Sequence, residues 1–167
     1  NRILTTLHFL AVKGGAAFGV FLLFASVYSA IKRTSVFKLP TRSWLYLFLS
    51  LLIGPVLIAN LTFKDHWGRA RPREVIEFRG TAQFSPALVP QPNAHNNGSF
   101  PSGDGSFGFF LPSLAYVVSP QKRRKVFCWS ILAALAFSGA RLLMGAHFLS
   151  DILFAALMMM GVSAVLN

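Results

Sequence analysis

Acidic residues and cysteine are scarce in this 167-residue sequence, and charged residues of both signs together make up only 13% of it. That share is about half of the value typical of a soluble domain. The single cysteine, Cys128, excludes an intrachain disulfide and a cysteine-based metal site. Hydrophobic residues, by contrast, reach 54%, which indicates a chain that places much of its surface against lipid.

The few charges are strongly unequal in sign, with 16 Lys and Arg against five Asp and Glu. A basic excess is typical of two classes, nucleic-acid-binding proteins and membrane proteins with basic loops. A nucleic-acid-binding protein distributes its basic residues over a polar surface, whereas here they lie between long apolar runs. We therefore expect the membrane bilayer to be a partner of this chain, and we expect no nucleic-acid binding.

Five apolar runs approach the length of about 20 residues that a helix needs to cross a bilayer. The predicted spans are residues 14–31, 43–63, 105–119, 126–144 and 147–166. They predict an all-α fold, a polytopic transmembrane helix bundle in a single domain over residues 1–167. The third run is short, so we expect it to begin below the membrane surface or to share its span with the preceding loop. Residues 1–13 either lie in the interface as a helix or extend the first span.

The loops at residues 32–42 and 120–125 share one side of the membrane, because two predicted spans separate them. Both are basic and neither contains an acid, so the positive-inside rule places them in the cytoplasm. The loop that starts at Lys64 then faces outward, and it is basic as well, which topology does not explain. An anionic substrate explains it, and we expect residues 74–104 to cap the site where that substrate binds.

The first of three notable clusters runs from Lys64 to Arg73, directly after the second predicted span. It is compatible with a basic patch that binds anionic lipid heads. It is equally compatible with a phosphate site, since Arg presents a planar fork of donors and Lys a mobile point charge.

The second cluster, Phe100 to Asp104, opens the third predicted span. Ser is a favoured helix N-cap and an acid suits the first turn, so a purely structural function is compatible with it. The same helix start is a candidate anion site, because the Ser102 hydroxyl and the N–H groups of Gly103 and Asp104 are able to cradle a phosphate.

The third cluster runs from Arg141 to Asp151 across a predicted turn at Gly145. His147 and Asp151 are four residues apart and share one helical face. Asp151 is a candidate to hold one imidazole nitrogen and leave the other free to attack, as in catalytic triads. A lone membrane His is more often a packing residue, but a carboxylate one turn away favours a catalytic site. Because all three clusters lie at outer helix ends, they predict phosphoryl transfer by positioning and charge stabilisation.

Together the clusters resemble the signature of the type-2 phosphatidic acid phosphatase superfamily of membrane lipid phosphatases. That signature is Lys, six residues and Arg-Pro, then Pro-Ser-Gly-His, then Ser-Arg, five residues, His, three residues and Asp. This sequence matches it in order and spacing at Lys64, Arg71, Pro72, Pro101, Ser102, Gly103, Arg141, His147 and Asp151. The resemblance covers residues 64–151.

The resemblance implies that His147 is the nucleophile and forms a phosphohistidine that water then hydrolyses. It implies that Asp151 orients His147, and it implies no metal and no organic cofactor. The phosphate-binding residues that it implies are Lys64, Arg71, Ser102, Gly103 and Arg141. Three further side chains are candidates for substrate contact or an accessory function: Arg69, Arg73 and His66.

Two positions depart from the signature. Ala140 replaces a Ser, which we expect to remove one hydrogen bond, and Asp104 replaces the second His, which is expected to protonate the leaving group. An exposed Asp is ionised at neutral pH and has no proton to donate. Either Asp104 is protonated in this site and is itself catalytic, or His66 or His95 replaces it, or the leaving group needs little help.

An acid at this position, and the string from Lys64 to Pro72, are similar to bacterial lipid A phosphatases. We therefore expect removal of the 1-phosphate of lipid A, a glycosyl phosphate whose oxygen leaves readily, at the periplasmic face of a bacterial inner membrane. The alternatives are a phosphatase of undecaprenyl diphosphate or phosphatidylglycerophosphate, a lipid-to-lipid phosphotransferase, and a non-catalytic lipid-binding scaffold. A transporter is disfavoured, because no internal repeat is evident. We expect the lipid to enter laterally, and the sequence predicts no oligomeric state.

Overall fold

The computed structural model describes residues 2–91 and 98–167, and within these it places all side chains except those of residues 2–12 and Asp65. The regular elements in this part of the chain are helices, joined by loops with two isolated β-bridges. This confirms the predicted all-α fold. His95, one of the predicted substitutes for the missing histidine, lies outside the described residues.

The first half of the bundle consists of two long helices. Helix α1 spans Arg2–Lys32, so the backbone of residues 2–13 continues the first helix. Helix α2, Thr41–Leu51, passes directly into a π-helix at Leu52–Lys64. π-Helices are rare and occur mostly as single-turn bulges, often at functional sites. This one is 13 residues long and ends at the first residue of the first cluster.

A short helix, α3, follows at Asp65–Trp67. The chain then forms a loop with single 3₁₀ turns at Pro72–Glu74 and Ile76–Phe78. Backbone hydrogen bonds join the two ends of this loop, from Gln91 to the Trp67 carbonyl at 2.7 Å and from Gly98 to the Lys64 carbonyl at 3.2 Å. The described part of the predicted capping loop is therefore attached to the end of the π-helix.

The third predicted span is not one helix. Helix α4, Gly103–Phe110, is followed by a 3₁₀ turn at Leu111–Ser113 and by α5, Leu114–Val117. Pro112 gives the local reason, since proline cannot supply the N–H that continues an α-helix. At 1.5 Å per residue, 15 residues extend about 22 Å, less than the hydrocarbon core of about 30 Å.

Two long helices complete the bundle, α6 at Pro120–Leu143 and α7 at Leu149–Leu166. By length and apolar composition, four helical segments among the described residues are able to cross a membrane: Lys13–Lys32, Thr41–Lys64, Pro120–Leu143 and Leu149–Leu166. They correspond to the first, second, fourth and fifth predicted spans.

Helix α4 lies at the centre, in contact with the π-helix, α6 and α7. Small residues allow this close packing, because a Cβ atom at Gly108 would lie only 3.4 Å from the Ala134 backbone. Phe100, just before α4, is fully buried against Trp67 and Phe154, with ring centroids 5.1 and 4.7 Å away. This packing brings the second cluster to the end of the bundle where the first and third clusters lie.

Candidate active site

The turn between α6 and α7 places the third cluster against the first. Gly145 has φ of +60°, a left-handed conformation that favours glycine. Its carbonyl accepts a hydrogen bond from the Arg73 N–H at 3.1 Å. Two residues later, His147 is 1% exposed, so it lies inside the bundle end and not on its surface.

The imidazole of His147 is held by a backbone carbonyl. Its Nδ1 lies 2.8 Å from the Ser99 oxygen, and because a carbonyl only accepts, Nδ1 must donate. In the neutral ring this leaves Nε2 without a proton and available as a nucleophile. Nε2 lies 3.8 Å from Asp104 Oδ2.

The predicted orienting function of Asp151 differs in the structure. Asp151 Oδ2 is 4.0 Å from His147 Nδ1, beyond hydrogen-bond distance. Oδ2 instead accepts the Phe148 N–H at 2.8 Å, as an acid in the first turn of α7, and Oδ1 pairs with Arg69. Both oxygens of Asp151 therefore have other partners, and the Ser99 carbonyl takes the place that we predicted for Asp151.

Arg69, a candidate for substrate contact, is enclosed by protein. Its side chain is 2% exposed and lies 4.2 Å from the ring centroid of Phe148. Its Nε donates to the Ser85 carbonyl at 2.9 Å, and Nη1 reaches Ser150 Oγ at 3.0 Å as well as Asp151. These contacts fit a structural ion pair and do not place the guanidinium where it would meet a substrate.

Arg141 and Asp104 form a close ion pair beside the imidazole. Arg141 Nε lies 2.6 Å from Asp104 Oδ2, and both side chains are largely buried. This approach lacks the alignment of a hydrogen bond. The carboxylate neutralises the arginine that the family signature assigns to phosphate, so a bound phosphate has to share Arg141 with Asp104.

The start of α4 and the end of the π-helix meet in the same place. Ser102 is the N-cap of α4, and its Oγ accepts the Gly105 N–H at 2.9 Å, which is the structural function that we weighed above. A Cβ atom at Gly103 would lie 3.3 Å from Lys64 Nζ and 2.8 Å from Asn60 Oδ1. Glycine thus permits the ammonium of Lys64 to approach the helix start, and both attract an anion.

Arg71 adds further positive charge. Burial lowers the pKa of the Arg71 guanidinium below its usual value, and the nearby charges of Arg73 and Arg141 lower it further, against the opposing effect of Glu74. A group in such surroundings gains from a bound anion. The Arg73 side chain is 51% exposed and 4.0 Å from Glu74. His66 is exposed, and its Nδ1 donates to the Thr62 carbonyl at 3.0 Å.

An apolar groove of about 650 Å³ begins at this cationic site and extends down the bundle. Its polar lining residues are Asn60, Lys64 and Asp104. Its other walls include Gly19 and Val20 of α1, Val56 of the π-helix, Phe107 of α4 and Phe137 of α6. Val20 and Val56 are exposed, so the groove opens on the side of the bundle.

Two residues at the site were not predicted from the sequence. Ser99 contributes a main-chain carbonyl, which no sequence pattern identifies. Asn60 precedes Lys64 by four residues, a spacing that places two side chains on one face of an α-helix. This spacing is a weak sequence signal that Asn60 lies near the site.

Comparison with known proteins agrees with this geometry. The model of the PAP2 superfamily matches residues 43–167. A lipid A 4′-phosphatase of Francisella tularensis subsp. novicida is 36% identical over 123 residues, which cover 72% of this chain and 55% of that protein. A lipid A 4′-phosphatase of Rhizobium leguminosarum is 35% identical over 117 residues, which cover 70% of this chain and 50% of that protein. A lipid A 4′-phosphatase of Rhizobium etli is 38% identical over 104 residues, which cover 62% of this chain and 40% of that protein.

This chain spans about half the length of the curated relatives that it matches. No solved structure matches it. The family model covers most of the chain, including all three clusters and the groove-lining residues of α2, α4 and α6. The chain therefore belongs to the PAP2 superfamily.

Proposed function

We propose that this chain is a membrane lipid phosphatase that transfers a phosphoryl group from a lipid to His147 and then to water. The Nε2 lone pair attacks phosphorus, and the bond between phosphorus and the lipid oxygen breaks. The departing oxygen takes a proton from Asp104, which in this scheme has bound that proton as the anionic substrate entered. Water then attacks the phosphohistidine and returns a proton to Asp104, the P–N bond breaks, and inorganic phosphate leaves.

The orientation of His147 is the observation that carries this proposal. The Ser99 carbonyl accepts from Nδ1 at 2.8 Å, and Nε2 is turned toward the Asp104–Arg141 pair. Lys64 and the start of α4 supply positive charge for the phosphate oxygens. These contacts support phosphoryl transfer to His147 as the reaction class.

A lipid substrate is supported by the groove. About 650 Å³ of mostly apolar space continues from Lys64 and Asp104, within the range of cavities that enclose small ligands. An acyl chain in this groove would keep its phosphate at His147 while its far end stays among the helices. The side opening is consistent with the lateral entry that we predicted.

We propose lipid A as the substrate, in a bacterial inner membrane with the site facing the periplasm. The relatives are named for the 4′-phosphate, whereas the sequence led us to expect the 1-phosphate. We favour the 4′ position, because its leaving oxygen is an ordinary alcohol that needs a proton donor. We infer that Asp104, 3.8 Å from Nε2, is that donor.

The test is phosphate release by the full chain in detergent from lipid A, phosphatidylglycerophosphate and undecaprenyl diphosphate. We expect release from lipid A, its loss in His147→Gln, and no change in Cys128→Ser, a substitution at an exposed thiol. Mass spectrometry of the product identifies which phosphate has left. Release from another lipid alone would contradict lipid A, phosphate appearing on an acceptor lipid would indicate a phosphotransferase, and no release from any would favour a binding scaffold.

A further inference from the structure

Ser99 connects the first cluster to the proposed nucleophile. Its N–H donates to the Arg69 carbonyl at 2.7 Å, and its Oγ donates to the Ala70 carbonyl at 3.1 Å. Its own carbonyl accepts from His147 Nδ1 at 2.8 Å. Ser99 is fully buried, so these three bonds determine where its carbonyl points.

Arg69 also reaches the other side of His147, through its side chain. The guanidinium pairs with Asp151 and bonds to Ser150 Oγ at 3.0 Å. It also stacks on Phe148, with 4.2 Å to the ring centroid. Asp151 in turn accepts a hydrogen bond from the N–H of Phe148, the residue next to His147. Arg69 therefore restrains both the carbonyl that holds the imidazole and the backbone that carries it.

We propose that Arg69 is a positioning residue, whose side chain aims His147 Nε2 at phosphorus through its ion pair with Asp151, while its main-chain carbonyl holds Ser99. This inference rests on the proposed function, since it takes His147 as the nucleophile. A second consequence concerns charge. By pairing with Asp151, Arg69 prevents that carboxylate, 4.0 Å from Nδ1, from competing with Ser99 for the Nδ1 proton.

The first test is kinetic, with the full chain in detergent and lipid A as substrate. Arg69→Met should lower kcat by about 100-fold, the loss typical of a displacement of about 1 Å at a reacting group, while KM changes by less than about threefold. Asp151→Asn should have a similar effect, and the double variant should be no worse than either single variant, because both act through one ion pair. Arg124→Met, at an exposed arginine near the start of α6, is the matched control and should retain full activity.

The second test does not depend on activity. In protein labelled with ¹⁵N-histidine, the His147 resonance, identified by its absence in His147→Gln, should report a protonated, hydrogen-bonded Nδ1 in the parent. Arg69→Met should shift this resonance or broaden it by mixing tautomers. Arg124→Met should leave it in place.

The outcomes separate the two proposals. A higher KM with unchanged kcat would mean that Arg69 binds substrate, and an unchanged Nδ1 resonance in Arg69→Met would mean that it does not position His147; either overturns the inference. If the parent releases no phosphate but the His147 resonance still shifts in Arg69→Met, the proposed function alone is overturned. If Arg69→Met does not fold, Ser99→Ala and Arg69→Lys take its place, with a smaller shift of the same resonance expected and no shift refuting it.

Discussion

Replacing Asp104 with asparagine removes the negative charge nearest to the proposed nucleophile. Asp104 Oδ2 lies 2.6 Å from Arg141 Nε and 3.8 Å from His147 Nε2, in space that a phosphoryl group on Nε2 would enter. Two unit charges about 4 Å apart interact by about 4 kcal/mol at an effective dielectric constant of about 20. An incoming phosphate would therefore repel the Asp104 carboxylate, and the proposed mechanism requires that Asp104 bind a proton as the substrate enters.

Two opposite effects of Asp104→Asn follow from this geometry. Phosphate no longer competes with a carboxylate for Arg141, so inorganic phosphate should inhibit at a concentration at least about tenfold lower, equivalent to about 1.4 kcal/mol. The amide has no proton to transfer, so kcat should fall by about 10²- to 10⁴-fold, the usual contribution of a general acid. Tighter product binding together with slower turnover is the distinctive result.

The assay is steady-state phosphate release from lipid A with added inorganic phosphate as inhibitor. Asp104→His restores the residue of the family signature and should keep kcat within about tenfold of the parent, since imidazole is also a competent acid. Weaker phosphate inhibition in Asp104→Asn would refute the competition argument and mean that Asp104 orients Arg141. Unchanged kcat would refute proton donation.

Two further predictions concern the turn and the groove. Gly145→Ala forces a side chain into a left-handed conformation 3.2 Å from Arg73 Cβ, so it should lower the unfolding free energy by about 1–2 kcal/mol; an unchanged thermal midpoint in detergent would contradict this. Val56→Trp narrows the groove and should raise KM for lipid A about tenfold, a loss of about 1.4 kcal/mol, without affecting hydrolysis of a chain-free sugar phosphate. Val165→Trp, at an 86% exposed position, is its control, and an equal rise there would argue against the groove.

The long helices were predictable because their cause is local. Apolar length and the absence of interior charge favour membrane-crossing helices, and four of the five predicted spans correspond to such helices among the described residues. The third predicted span is not one continuous helix, and hydropathy does not predict this because it does not detect a break in the backbone hydrogen bonds of a helix. Pro112 interrupts the helix there while leaving the apolar character of the run unchanged.

The proximity of His147 and Asp151 was also predictable, but their hydrogen-bond partners were not. A spacing of four places His147 and Asp151 on one face, and in the structure they are neighbours at 4.0 Å. That spacing does not reveal that the Phe148 N–H and Arg69 hold both carboxylate oxygens. Arg69 was predicted to contact substrate or to have an accessory function, because the sequence does not reveal that Phe148 packs over it and buries it.

By itself, the sequence determines that the proposed nucleophile and the cationic residues lie at the ends of apolar helices, since this depends on local order along the chain. Only the tertiary structure decides which atoms hold them. Arg69 is 82 positions from Asp151, and Ser99 is 48 positions from His147. A main-chain carbonyl carries no sequence signature, so the acceptor that orients His147 is selected by distance and direction once the helices have packed.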